Sequence, residues 1–186
     1  MRPLLILLAA LQGLAAAPMA AARQDDPRLD SLFSELQSLD KRRDQRAGEL
    51  QAKIWYIWYE HDDARVNALM ERGLKALALE RYTEAVDAFS HVIDLDRSFA
   101  EAWNRRGTAY YLLGRYEDSL ADIRHVLALE PRHFAALAGR GLCLRELGRP
   151  RAAIDAFKQA LEINPHLDRV YVEILRLRAH AGVNEE

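Results

Sequence analysis

With one cysteine in 186 residues, Cys143, the chain cannot close a disulfide on itself, so the fold has to be held by packing. That cysteine stands between Leu142 and Leu144, a setting in which a free thiol behaves as a small buried hydrophobe. A nucleophile would want an accessible, electropositive place with a histidine nearby. Charge of one sign is also lacking. The 26 Lys and Arg against 28 Asp and Glu leave a net charge of -2 and a pI near 6.3, which removes the usual electrostatic case for nucleic acid or an anionic membrane as partner. There is no phosphate-binding glycine loop, no Gly-x-Ser-x-Gly and no His-Glu-x-x-His. The six histidines have no paired Cys or His at metal-ligand spacing. No catalytic, cofactor or metal site is therefore expected, and an enzyme ranks a distant third among the function classes.

At the amino terminus, Arg2, the apolar run Leu4 to Leu11 and the small residues Ala20-Ala21-Ala22 follow the order of a secretory signal peptide. Residues 1–22 are read as that signal, with cleavage after Ala22. The run is short for a bilayer span of about 20 apolar residues, and a retained anchor is the alternative. No cysteine follows it, which excludes a lipoprotein. The expectation is export, to the periplasm if the source is Gram-negative, without stable membrane insertion after cleavage.

Residues 23–64 predict a helical hairpin. Asp26-Pro27 is a helix-start signal, and Leu29, Leu32, Phe33, Leu36 and Leu39 then share one helical face. After the charged run Lys41 to Arg46, a second amphipathic stretch carries Leu50, Ile54, Ile57 and Trp58 on one side, with Trp55, Tyr56 and Tyr59 around it. Large aromatics dominate both cores and binding hot spots. The favoured reading packs this cluster against the unit that follows, capping it; the sharper one makes it a partner-binding surface.

From Val66 to Leu167 the chain repeats at an interval of 34 residues. Gly73, Gly107 and Gly141 align; Leu69, Trp103 and Leu137 stand four residues earlier, and Arg72, Arg106 and Arg140 one residue earlier. Ala85, Ser119 and Ala153 align later, then Phe89, Ile123 and Phe157, and Pro131 and Pro165 close the second and third units. Three glycines in register inside helices imply a packing reason, since each costs about 1 kcal/mol relative to alanine. The first unit has Asp96-Arg97 where proline would stand. The arginine ladder reads as stems packed between helices with heads paired to acidic neighbours. His91 and His125 share one slot a repeat apart, roughly 10 Å from each other at helix-packing distances, too far to share an ion.

This pattern resembles the tetratricopeptide repeat (TPR) family, whose unit is a 34-residue helix-turn-helix. The resemblance implies an all-α fold: a short right-handed α-solenoid of three repeats, 66–99, 100–133 and 134–167, preceded by the hairpin, which is TPR-like at most, and closed by a capping helix over 168–181. Leu29-Asp-Ser-Leu32-Phe33, Ile54-Trp55-Tyr-Ile-Trp58 and Pro131-Arg-His-Phe-Ala-Ala-Leu137 also resemble secreted TPR proteins of alphaproteobacteria.

The resemblance further implies a concave groove lined by the first helix of each repeat. By the family's slots it presents Asn67, Met70, Glu71, Leu74 and Leu77, then Glu101, Asn104, Arg105, Thr108 and Tyr111, then Ala135, Ala138, Leu142 and Arg145. The carboxylate clamp of chaperone-binding members is absent: its slots hold Met70, Leu74, Arg105, Ala135 and Gly139. What remains suits a helix or extended segment with apolar anchors. The expected function is a protein-interaction adaptor or scaffold that binds another polypeptide around Met70, Leu74, Asn104, Arg105, Thr108, Tyr111, Leu142 and Arg145. The alternative is a structural or self-assembling homo-oligomer whose groove is filled by its own hairpin.

Overall fold

The computed structural model describes residues 26–40 and 45–181. The signal-like segment 1–22, most of the charged run after Asp40 and the last five residues lie outside the described residues. Among those described, the secondary structure is helical throughout: α1 (Arg28–Ser38), α2 (Gln45–Tyr59), α3 (Ala64–Ala78), α4 (Tyr82–Leu95), α5 (Ala100–Leu112), α6 (Tyr116–Leu129), α7 (Phe134–Glu146), α8 (Pro150–Ile163) and α9 (Asp168–Ala181). The helices pair as α3 with α4, α5 with α6 and α7 with α8, each pair packing on the next. This is a short α-solenoid of three helix-turn-helix units.

The turns explain the sharp reversals. Gly114 (φ 73°) and Gly148 (φ 68°) take the left-handed conformation that closes a helix, and the N–H groups of Arg115 and Arg149 reach back to Tyr110 O and Leu144 O. The first unit makes the same turn with Glu80 at φ 59°, a conformation that costs an L-residue about 1–2 kcal/mol. Between units, proline turns out to be dispensable. Asp96, Glu130 and Asn164 occupy one slot at the 34-residue interval, all are buried, and each accepts the backbone N–H of the residue two further on. Asp96 thus ends α4 without a proline.

The glycine slots divide into two kinds. A Cβ built on Gly73 would lie 2.4 Å from the Phe89 ring, and one on Gly141 2.4 Å from Phe157; both rings are fully buried. At Gly107 the nearest atoms are Asp122 Cβ at 3.4 Å and Ser119 O at 3.5 Å, an ordinary contact, because Ile123 replaces the phenylalanine. The arginine ladder is equally uneven. Arg106 pairs with Asp122 at 2.8 Å and donates to Ser90, whereas Arg140 donates to the Gln159 amide oxygen; the Asp122 slot is Ala156 one repeat later, so no carboxylate is available there.

In α9, Val170 and Ile174 are buried and Leu177 partly so, but Leu175 faces out with Tyr171 and Val172. Leu175 stands one interval after Gly141. The slot that holds glycine in all three repeats thus holds an exposed leucine in α9.

The hairpin departs from expectation. Leu29, Phe33 and Leu36 of α1 and Leu50, Ile54, Ile57 and Trp58 of α2 are buried as their spacing predicts, and Asp26 accepts the Arg28 N–H at 2.8 Å. Its aromatic face, however, does not cap the first repeat. Trp58 stacks on His133 with ring centres 4.2 Å apart, and Trp55 meets Phe134 edge-on at 5.9 Å; only Tyr59 reaches the first-repeat core. The small concave-face residues Ala135, Ala138 and Gly139 leave room for a helix there, and the indoles fill part of it. This segment touches all three repeat-closing loops. His61 donates to Asp96 at 3.0 Å, Arg132 to Asp30 at 2.6 Å, Gln37 to Glu162 O at 3.2 Å and His166 to Leu36 O at 3.1 Å.

Candidate functional site

The concave face is built from α3, α5 and α7, with α2 laid across part of it. Where α2 crosses α5, a buried polar cluster forms. Glu101 has no exposed side-chain surface, and its carboxylate accepts from Arg105 at 2.5 Å, from Asn104 at 3.0 Å and from His133 at 3.1 Å. The His133 Nδ1 accepts the Ala136 N–H at 3.1 Å, so the ring proton sits on Nε2 and goes to Glu101. Burial alone would push the Glu101 carboxyl up; the Arg105 charge and these hydrogen bonds outweigh it and hold the group below the ordinary carboxylate range. Arg105 lies over the rings of Trp55 and Tyr59, at 5.3 and 5.1 Å, and burial beside Glu101 drives the Tyr59 phenol well above its ordinary value.

Beyond this cluster the groove stays open as a cavity of about 360 Å³ between α5 and α7, with Gln51 and Trp55 of α2 as one wall. Asn104, Thr108 and Tyr111 line it from the second repeat and Leu142 from the third; Gly107, Ser119 and Ile123 extend the lining between the helices. Thr108 spends its hydroxyl proton on Asn104 O. Arg145 donates to Tyr111 Oη at 3.2 Å and pairs with Glu173 at 2.5 Å and Glu146 at 2.6 Å, which leaves it neutralised.

The eight groove residues expected from the sequence thus separate into three places. Asn104, Thr108, Tyr111 and Leu142 line the cavity, and Arg145 stands beside Tyr111. Arg105 is held under α2 by its ion pair and by two aromatic rings. Met70 is buried in the first-repeat core and Leu74 packs on that core, so the two are not part of this cavity. Residues not expected in the groove are Ile123 and Ser119, which sit in core slots, and Trp55 and Gln51, which the chain brings from outside the repeats. A signal for the first two existed: Ile123 and Ser119 are the odd members of slots otherwise held by phenylalanine and alanine.

Cys143 is buried and donates to Ser119 Oγ at 3.3 Å; burial pushes its thiol up. His125 stacks on Trp103 at 4.1 Å. Among the described residues no cluster of three or more His, Cys, Asp or Glu is arranged to hold a metal ion, and no helix is long and apolar enough to cross a membrane.

Two models of the tetratricopeptide repeat match, over residues 64–124 and 98–165, so that together they span all three helical pairs. The chain belongs to the tetratricopeptide repeat family. A TPR repeat-containing protein of Rhizobium etli is 34% identical over 88 residues, which are 47% of this chain and 42% of that protein; the chain spans less than half the length of this curated relative. Among solved structures, the first TPR of Spaghetti (RPAP3) bound to an HSP90 peptide superposes with a TM-score of 0.63 at 22% identity, covering 66% of this chain and 97% of that one. The Yersinia enterocolitica type III secretion chaperone SycD in complex with a peptide of the translocator YopD gives 0.61 at 13% identity, over 64% and 97%. At such identities the TPR likeness is one of fold. The α1–α2 hairpin of this TPR protein lies outside both family matches.

Proposed function

We propose that this TPR protein is a non-catalytic, exported adaptor that holds a segment of another polypeptide on its concave face. The observation that carries the reading is the cavity of about 360 Å³ between α5 and α7, within the size range of sites that take small ligands and placed where an apolar anchor side chain would enter. Two proteins of the same fold are described with a bound peptide, which supports a polypeptide as the class of ligand. The signal-like residues 1–22 support export. Sequencing the amino terminus of the mature protein tests that part: Met1 retained would remove it.

The groove reading is tested by selecting binders from a displayed random peptide library on the wild-type protein. Ala138→Trp, which fills the cavity from α7, should abolish binding of the selected peptides, as should Leu142→Arg. Undiminished binding to both folded variants would overturn the reading. Arg105→Glu is unsuitable here, because it would break the ion pair beneath α2 and unseat the hairpin.

A second reading is favoured by the hairpin itself, which covers Glu101 and Arg105 and so occupies part of the groove from within. On that reading the chain is structural or self-assembling. Light scattering across a concentration series separates the two: a monomer supports the adaptor, and a large concentration-dependent species supports assembly.

A further inference from the structure

The second repeat is built as though one side chain were missing. In the first and third repeats a phenylalanine ring lies directly on the helical glycine, with Phe89 on Gly73 and Phe157 on Gly141, so close that no Cβ would fit beneath it. In the second repeat the equivalent residue is Ile123, and its Cδ1 leans toward Gly139, 3.5 Å from where a Cβ on that residue would stand. No ring lies on Gly107: a Cβ there would meet Asp122 Cβ at 3.4 Å and Ser119 O at 3.5 Å, and Gly107 lines the cavity with Ser119 and Ile123. Small residues, Ala138 and Gly139, keep the α7 side open, and the Trp55 indole of α2 closes the far side.

Resting on the adaptor reading above, we propose that Gly107 and Ile123 form a seat for the phenyl ring of a phenylalanine in the bound polypeptide, which supplies in trans the ring the second repeat lacks. A flat glycine surface with no Cβ is what two phenyl rings of this same chain already pack on. The volume is ample, since an apolar cavity of about 150 Å³ already admits benzene. Most of the polar groups around the seat are spent within the protein: Ser119 accepts from Cys143, Thr108 donates to Asn104 O, and the Asn104 amide donates to Glu101. The seat therefore rewards an apolar ring over a polar group, and Ile123 is the residue that decides its size. Because Trp55 is one wall, an occupied seat also fixes α2 in place.

Ile123→Phe tests the proposal, since it restores the residue found in the other two repeats and fills the seat from within. Toluene, the phenylalanine side-chain analogue, is titrated into the 15N-labelled full chain. The Gly107 and Gly139 amide resonances should shift in the wild type and stay still in Ile123→Phe, whose thermal midpoint should equal or exceed that of the wild type. Peptides selected on the wild type should carry a phenylalanine whose change to alanine weakens binding at least tenfold, and Ile123→Phe should weaken the parent peptide equally without weakening the alanine peptide further. Should Ile123→Phe fail to fold, Ala138→Phe closes the same seat from α7. No toluene shift at Gly107 overturns the seat. Selected peptides that bind regardless of phenylalanine and of Ile123→Phe overturn it as well, while the concave-face reading stands. Toluene shifts with no peptide selected show a pocket that admits a ring but overturn its proposed occupant together with the polypeptide reading.

Discussion

The second repeat and its two neighbours share one backbone plan and fill it with different chemistry. At the slots packed against the helical glycine, repeats one and three are apolar: Ala85 and Ala153, Ala88 and Ala156, and Phe89 and Phe157 pack the interior, and all are buried. In repeat two the same three slots hold Ser119, Asp122 and Ile123, and Glu101 is buried on the opposite face. Dense apolar packing stabilises a fold without asking for anything outside it. Buried carboxylates need partners, and each one here has a cation or donor assigned to it: Arg106 for Asp122, and Arg105, Asn104 and His133 for Glu101. The polar, loosely filled repeat is also the one beside the cavity and beneath the hairpin. The outer repeats fill these slots with apolar side chains, and the middle one fills them with groups held by ion pairs and hydrogen bonds.

Changes at the middle repeat should therefore show the largest effects, beginning with Glu101→Ala. It leaves Arg105 mostly covered and unpaired, and should cost about 3 kcal/mol in urea unfolding; a loss no greater than that of a surface ion pair, about 1 kcal/mol at most, would mean that the cluster does not hold the hairpin. The same contrast has a pH signature. Glu101 and Asp96 are both held below the ordinary carboxylate range in the folded chain, Asp96 by the Ser98 hydroxyl, His61 and the Ser98 N–H working against burial. A depressed folded value means that the unfolded chain takes up protons first. Their stabilisation is thus complete above the unfolded values of about 4 and is lost as pH falls from there toward the depressed folded values. Urea midpoints measured from pH 6 to 3 should fall in the wild type and fall less steeply in Glu101→Ala.

Asp122→Ala converts the second repeat to the alanine its neighbours use, yet it should destabilise by about 2–3 kcal/mol, because Arg106 is left half-buried without its carboxylate. Adding Arg106→Met should recover most of the loss; no recovery would argue that Asp122 acts through packing. The glycines give a smaller and oppositely signed pair. Gly141→Ala drives a Cβ into the Phe157 ring and should cost about 1–2 kcal/mol, while Gly107→Ala should be neutral or gain up to about 1 kcal/mol from helix propensity. Equal effects at the two sites would erase the distinction drawn between the repeats. Smallest is Glu80→Gly, which gives the first repeat the left-handed glycine of the other two and should raise stability by about 1 kcal/mol or less, read as a shift in thermal midpoint.

The division of the chain into paired helices was legible, because a 34-residue interval of glycine, aromatic and small residues leaves few other packings. The concave lining was legible in part. Asn104, Thr108, Tyr111 and Leu142 follow from the slots that the TPR resemblance assigns to the concave face. Slots do not decide what covers that face, and so Met70 proved to be buried in the first-repeat core and Arg105 half-covered by Trp55 and Tyr59 of α2. The buried slot of Asp96, Glu130 and Asn164 was readable at the same interval and was hidden by the more conspicuous prolines beside it.

The sequence by itself determined the repeat: its length, the sides of its helices that pack together, and the places where a phenylalanine demands a glycine. These are local or nearest-neighbour matters, settled by residues at most one interval apart. Only the tertiary structure decided where the hairpin lies. Trp58 meets His133 and Gln37 meets Glu162 across separations of 75 and 125 residues, and no period connects them. The cavity belongs to this second kind of fact, since its floor is an isoleucine of the second repeat, one side is the third repeat, and its remaining wall is a tryptophan from outside the repeats altogether.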